Sequence, residues 1–379
     1  MPDDIRLQRI IDLTRDLILI PSTEHAPAER KRVMQMLQNR LDGIPGIRFQ
    51  WHEHRGSESL VVLPEGIDAP EILLSGHIDV VHHGDESVYR SEVAGGRIVG
   101  PGAGDMKGQV AILVALLAAL HRRAPGVSVG LAITSDEEVG GEDGMGYLFG
   151  EAGLRCGVLI LPDGGSLNDV TVEEKGIAHL RVIARGRSSH GARPWLASNA
   201  LHQLMDAVAR IRSHFPMGEA DAAGNHWFPT CSATRATVPN DQNNMIPDYA
   251  EAVLDVRFPP PHTLADILAA VRGAAGDGVA IEPIVTSEAT RLAPDPDYLR
   301  AVEEITGQPC RTVKASGGSD ARFAADCGIP VILSRPLVGE IHGTREWIDI
   351  ASMEAFYRIN LRYIERRLET RKSASLAQL

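Results

Sequence analysis

The chain has 379 residues, 44% hydrophobic and 23% charged, which is too apolar for a disordered segment and long for one hydrophobic core, so two domains are expected. Its 38 basic and 50 acidic residues give a formal charge of −12. That balance argues against nucleic acid or an anionic membrane as partner, because no basic excess exists to release counterions.

The chain opens on an amphipathic helical pattern, Ile5 to Ile20, rather than a basic stretch followed by an apolar one. No signal peptide is visible, and a cytoplasmic location is the expectation. Helical periodicity covers 3–20 and 26–42. Short strand-like runs follow at Phe49 with Trp51, Leu60 to Leu63, and Glu71 to Ser75. Ala94 to Gly104 reads as a glycine-rich loop leading into the longest apolar run, Val110 to Leu120, which is too short to span a bilayer and reads as a core helix. Strands are expected at Val127–Thr134 and Gly157–Leu161. The alternation predicts an α/β fold with a mostly parallel sheet covered by helices on both faces.

Around Glu174 the pattern changes. Residues 177–184 read as a strand, 199–214 as a helix, 230–237 and 250–258 as strands, 263–272 as a helix and 279–285 as a strand. That β-α-β-β-α-β order is the ferredoxin-like α+β unit. Helix and strand alternation resumes near 296 and ends in a long helix at about 350–370, with Lys372 to Leu379 reading as frayed. The expected organisation is an α/β domain, 1–174 and 288–379, interrupted by an inserted domain at 175–287.

Five residues far apart in sequence stand out as metal ligands: His77, Asp105, Glu138, Asp163 and His342. At least three follow apolar runs that read as buried strands, and strands of an α/β sheet deliver side chains to one carboxyl edge. Taken singly each has a plainer reading. Asp105 before a helix suits an N-cap, and the acidic run Asp136 to Glu138 suits a solvated loop. Together, two imidazoles and three carboxylates suit a pair of zinc-type ions sharing one carboxylate. In an extended segment His77 and Asp79 point to the same side, so Asp79 is placed to accept the second ring N–H of His77. A water between two cations needs one unligated carboxylate to take its proton, and Glu137-Glu138 supplies one ligand and one base.

His77-x-Asp79, Gly104-Asp105-Met106-Lys107-Gly108, Asp136-Glu137-Glu138-x-Gly140-Gly141 and His342-x-x-x-Glu346 resemble, in order, the motifs of the M20 family of dizinc amidohydrolases and peptidases. The resemblance implies a catalytic α/β domain with an inserted lid or dimerisation domain, and two divalent ions, zinc ahead of cobalt or manganese. It implies that Asp105 bridges the ions, that His77 and Asp163 complete one site and Glu138 and His342 the other, and that Glu137 is the general base. A cis peptide after Asp105 is implied as well. Ser188-Ser189-His190-Gly191-Ala192-Arg193-Pro194 is similar to the family's lid motif, in which the matching His190 would donate to the oxyanion, reaching a partner subunit's site.

Asn244-x-Ile246-Pro247 and Asp255-x-Arg257 are similar to the segments that grip a substrate carboxylate, a task suited to the guanidinium fork. The plainer reading of Arg257 is a salt bridge with Asp255. Gly317-Gly318-Ser319-Asp320 reads as a turn opening a helix, whose N–H groups would bind a carboxylate. The chain departs from the family pattern at Pro101, Pro162 and Arg345, none of them a ligand.

The expected activity is hydrolysis of an amide bond next to a free carboxylate, as in an N-acyl-amino-acid deacylase or a small-peptide carboxypeptidase, by a homodimer joined through the inserted domain. The alternatives are a non-catalytic relative that binds a ligand in the same cleft, and a dizinc aminopeptidase or dipeptidase. Gly126-Val127-Ser128-Val129-Gly130 matches the serine-hydrolase pattern, but Ser128 starts a strand instead of turning from strand to helix, so it is read as coincidence. The four cysteines have no metal-binding or disulfide spacing.

Overall fold

The structure, a computed structural model, describes residues 3–215 and 226–376. The chain divides into two units, one formed by Met1–Val172, Leu292–Val313 and Ser319–Leu379, the other by Glu173–Arg291 and Lys314–Gly318.

The first unit is built on a six-stranded sheet in the order Ile47–His54, Ser57–Pro64, Val129–Thr134, Ile72–His77, Val158–Leu161, Val331–Leu333. The last four strands are mutually parallel, and the first two form an antiparallel hairpin at one edge. Strand alternation explains the double covering. Leu60, Val62, Ile72, Leu74, Leu131 and Ile133 join a core with the helices Asp3–Ile18, Pro27–Leu41, Gly108–Arg123 and Ile350–Leu376. Val61, Leu63, Leu73, Ala132, Leu159 and Leu161 point the other way, into a second core with Leu148, Phe149, Ala321 and Ala324. Both faces of these strands are buried, which is why their sequences read as continuous apolar runs.

Four details differ from the sequence reading. The start of the glycine-rich loop and the residues just before it form two short strands, Glu92–Ala94 and Arg97–Val99, joined at Gly95-Gly96, both with positive φ. A Gly-Gly pair between short extended runs is a hairpin turn signal. The expected strand at Val127 begins at Val129, because Val127 N–H closes a turn onto Ala124. The final helix continues to Leu376, and 377–379 lie outside the described residues. The apolar stretch also runs longer than Val110–Leu120. Ala103–Arg123 is long and apolar enough to cross a membrane by length and composition, yet 89% of its apolar window is buried, as befits the core helix of this sheet.

The second unit is a four-stranded antiparallel sheet in the order Thr230–Thr237, Tyr249–Phe258, Gly176–Arg185, Val279–Ser287. The helices Ala200–His214 and Leu264–Ala275 cover one face, packing on Ala250, Ala252, Leu254, Val256 and Phe258. Asn199 caps the first helix, and Thr263 with Asp266 forms a capping box on the second. Thr230–Thr237 is an edge strand, exposed along most of its length.

Candidate metal centre

Val129–Thr134, Ile72–His77 and Val158–Leu161 are parallel neighbours, so their carboxyl ends lie on one edge of the sheet. His77 is the last residue of its strand, Glu137 and Glu138 follow the second by a short turn, and Asp163 follows the third. Asp105 arrives from the loop before Gly108–Arg123, two residues short of the N-cap position at Lys107, so the N-cap reading does not hold. The peptide bond from Asp105 to Met106 is cis. His342 comes from the turn between Val338–Gly339 and Trp347–Asp349, strands paired with the hairpin that precedes the Asp105 loop.

The five side chains form two groups that share Asp105. Ligand atoms of His77, Asp105 and Asp163 lie within 4.8 Å of one another, as do those of Asp105, Glu138 and His342. His77 Nε2 is 3.2 Å from Asp105 Oδ1, and His342 Nε2 is 3.4 Å from Asp105 Oδ2 and 3.2 Å from Glu138 Oε2. Glu137 belongs to neither group, yet its Oε2 sits 3.8 Å from His77 Nε2.

The ligands are held by a supporting layer. His77 Nδ1 lies 3.1 Å from the backbone oxygen of Asp79 and 3.4 Å from its carboxylate Oδ1, while the other carboxylate oxygen accepts from Glu138 N–H at 2.9 Å. Either acceptor keeps the proton on Nδ1 and turns the Nε2 lone pair to the site. Glu346, which has a motif position but no role in the sequence reading, accepts from Gly104 and Asp105 N–H at 2.6 and 2.7 Å. Its other oxygen accepts from His342 N–H at 3.3 Å. His342 has φ +62°, a left-handed backbone that costs on the order of 1 kcal/mol for a residue with a Cβ. Two further residues escape sequence reasoning. Lys107 is fully buried and donates to the backbone oxygens of Leu17 and Ile20, and Asp136 accepts from Asp143 and Gly144 N–H at 2.9 and 2.8 Å. Both stand inside motifs quoted for other residues.

Burial, followed by the charge of Asp163, pushes the Glu137 carboxyl well above its ordinary value, with His77 pulling the other way. Hydrogen bonds to Asp105 and Glu138 push the His342 imidazole up to about 10. Burial and the charge of Asp105 push Glu346 up to about 7.

The remaining candidate residues lie mostly in the second unit. His190 pairs with Met245 across two short strands, and Gly191 N–H donates to Asn244 O at 2.6 Å, which brings His190 and Asn244 together. His190 Nδ1 accepts from Ala192 N–H at 3.1 Å, leaving Nε2 as the donor. Arg257 is engaged by Asp255, at 2.6 Å from Nε, and its NH2 group lies 3.4 Å from His179 Nε2, so the salt bridge named as its plainer reading is present. Gly317 and Gly318 belong to the second unit and Ser319 to the first. Ser319 Oγ accepts from Ala321 N–H, and the helix it opens has six residues.

Residues 73–366 match the description Peptidase family M20/M25/M40. The chain belongs to this family. As an M20 protein it is a metal-dependent amide hydrolase. It is 30% identical over 376 residues to a succinyl-diaminopimelate desuccinylase of Acidiphilium cryptum, covering 94% of this chain and 98% of the relative. A desuccinylase of Granulibacter bethesdensis is 32% identical over 280 residues, covering 67% and 72%. Among solved structures, the M20 metallo-carboxypeptidase of Sulfolobus solfataricus superposes with a TM-score of 0.78 at 13% identity, over 95% of this chain and 99% of that one. A dinuclear metal-binding M20 peptidase of Bacillus subtilis gives 0.61 at 14% identity, over 97% and 99%. These structures carry the M20 fold, a mixed α/β architecture.

Proposed function

We propose that this chain cleaves an amide bond beside a free carboxylate, as an N-acyl-amino-acid deacylase ahead of a small-peptide carboxypeptidase, with two divalent cations and Glu137 as general base. The observation that carries the reading is the shared position of Asp105, whose two carboxylate oxygens face His77 and His342. His77, Asp105 and Asp163 would hold one cation, and Asp105, Glu138 and His342 the other. The residues fit such ions. Glu138 Oε1 is buried without a hydrogen-bond donor, and mixed imidazole and carboxylate sets suit zinc above cobalt or manganese. Bound there, the cations lower the pKa of a water between them and polarise a carbonyl oxygen.

The rest is the work of side chains. Glu137 takes a proton from the attacking water and returns it to the leaving nitrogen. Asp79 holds the His77 tautomer. His190 offers its Nε2–H to the developing oxyanion. Asn244 and Arg257 bind the substrate carboxylate. The relatives named as desuccinylases favour the deacylase branch and make an N-succinyl amino acid the first substrate to try. A homodimer joined through the second unit accords with the exposed edge strand Thr230–Thr237, whose unpaired backbone groups suit pairing with a second copy.

The test is metal analysis of the purified protein, then hydrolysis assays on succinyl, acetyl and formyl amino acids, with dipeptides alongside. Metal-dependent turnover of an acylated amino acid is the expected result. Fully metal-loaded protein inert on the whole panel would overturn the reading.

A further inference from the structure

A cavity of about 670 Å³ opens in the first unit, and its lining shares no residue with the metal centre. Its floor is one face of Gly108–Arg123, where Ala111, Ala115 and Ala118 follow helical spacing and leave a hollow that larger side chains would fill. Its rim carries five guanidinium groups, Arg6, Arg9, Arg40, Arg122 and Arg123, and the lining includes no carboxylate. On a chain of net charge −12 such a ring runs against the composition.

Three of these arginines are oriented from outside the lining. Arg6 pairs with Glu354 and lies 4.3 Å over the ring of Tyr357, Arg40 bonds Asp16 at 2.9 Å, and Arg123 bonds Glu365 at 2.7 Å. Arg9 and Arg122 make no ion pair among the described residues. Held guanidinium groups around an apolar floor complement a molecule with an anionic head and an apolar tail. The volume is within the usual small-ligand range, roughly 300–1,000 Å³. A bare inorganic anion would leave the floor wet, and a neutral lipid would leave Arg9 and Arg122 without a counter-charge.

We propose that this cavity is a second binding site, separate from the metal centre, for a soluble amphipathic anion: a medium-length alkyl or acyl chain ending in carboxylate or phosphate, either of which pairs with the guanidinium fork.

The test is calorimetric titration of the full, metal-loaded protein with decanoate, decyl phosphate, decanol, decyltrimethylammonium and inorganic phosphate, all below micelle-forming concentrations. Saturable binding of the two anionic amphiphiles is expected, weakened about tenfold or more in Arg9→Glu/Arg122→Glu, the usual scale for losing a charged hydrogen bond. Ala115→Phe, which fills the floor, should act likewise. Amide hydrolysis should be unchanged in these variants, and Glu137→Gln should bind the amphiphiles normally. Because the two arginines are exposed, their replacement tests the site even if Ala115→Phe fails to fold. Equal binding of decanol or the ammonium compound, equal binding of phosphate alone, or indifference to the arginine changes would overturn the proposal. So would arginine-dependent sedimentation with phosphatidylglycerol vesicles in the absence of amphiphile binding, which would mark a membrane contact instead.

Discussion

Glu346 Oε1 accepts the backbone N–H of Asp105 at 2.7 Å, and the same carboxylate reaches His342 N–H through its other oxygen. One buried side chain thus ties together the two backbone segments that carry the shared carboxylate and the imidazole beside it. A carboxylate accepts from three N–H groups at once, whereas an amide presents one oxygen and turns its NH2 toward a donor. Glu346→Gln should therefore leave the chain folded but weaken metal binding by about 10–100-fold, the range for residues that orient ligands. Competition with a chelator, followed by circular dichroism, measures both. Unchanged metal affinity would leave Glu346 a purely structural residue.

The sharing of Asp105 has a stoichiometric consequence. If each group holds one ion, Asp163→Ala and His342→Ala should each halve the bound metal, whereas Asp105→Ala should remove nearly all of it. Plasma emission spectrometry on dialysed protein reads the ratio. Equal losses in all three variants would mean the groups bind as one site.

Glu137 sits beside His77 without joining either group, so its replacement should separate chemistry from binding. Glu137→Gln should keep its metal and a near-normal KM while kcat falls by about 10²–10⁴, the usual contribution of a general base. Loss of metal in this variant would instead make Glu137 a ligand.

The strand ends were the legible part of this centre. His77, Glu138 and Asp163 each follow a run buried on both faces, and such runs announce themselves by Val, Ile and Leu broken only by small residues. The position of His342 is invisible to that logic. It depends on the left-handed turn at φ +62° and on the pairing of Trp347–Asp349 with Arg97–Val99, a tertiary event between segments with weak periodicity of their own. The same weakness hides the strands on either side of Gly95 and Gly96. The service of Glu346 and Lys107 is likewise set by backbone atoms folded onto them from remote segments, and no spacing rule encodes that. In the second unit the strict alternation of Tyr249–Phe258, buried at every second residue, is legible, and so is the engagement of Arg257 by Asp255, while the approach of His179 to that pair needed coordinates.

That engagement predicts a pH dependence. Burial pushes the Asp255 carboxyl up, but hydrogen bonds from His179 and Arg257 and the guanidinium charge outweigh it and hold the group at about 2. A carboxylate whose folded pKa is below its unfolded value, about 3.9, adds stability that is fully present above the unfolded value and is lost as the pH falls through the folded one. For this half-buried group the contribution is on the order of 1 kcal/mol after allowing for solvent screening. Asp255→Asn should therefore lower the urea midpoint by a constant amount between pH 7 and about 5, and the gap to the wild type should shrink as the pH drops from about 4 toward 2. The same change releases the guanidinium from its carboxylate. If Arg257 binds the substrate carboxylate, KM for an acyl amino acid should move in Asp255→Asn and should rise in Arg257→Lys, which keeps the charge and loses the two-pronged donor set. A gap in urea midpoint that persists unchanged at pH 3 would show that the pair adds stability through packing and not through charge.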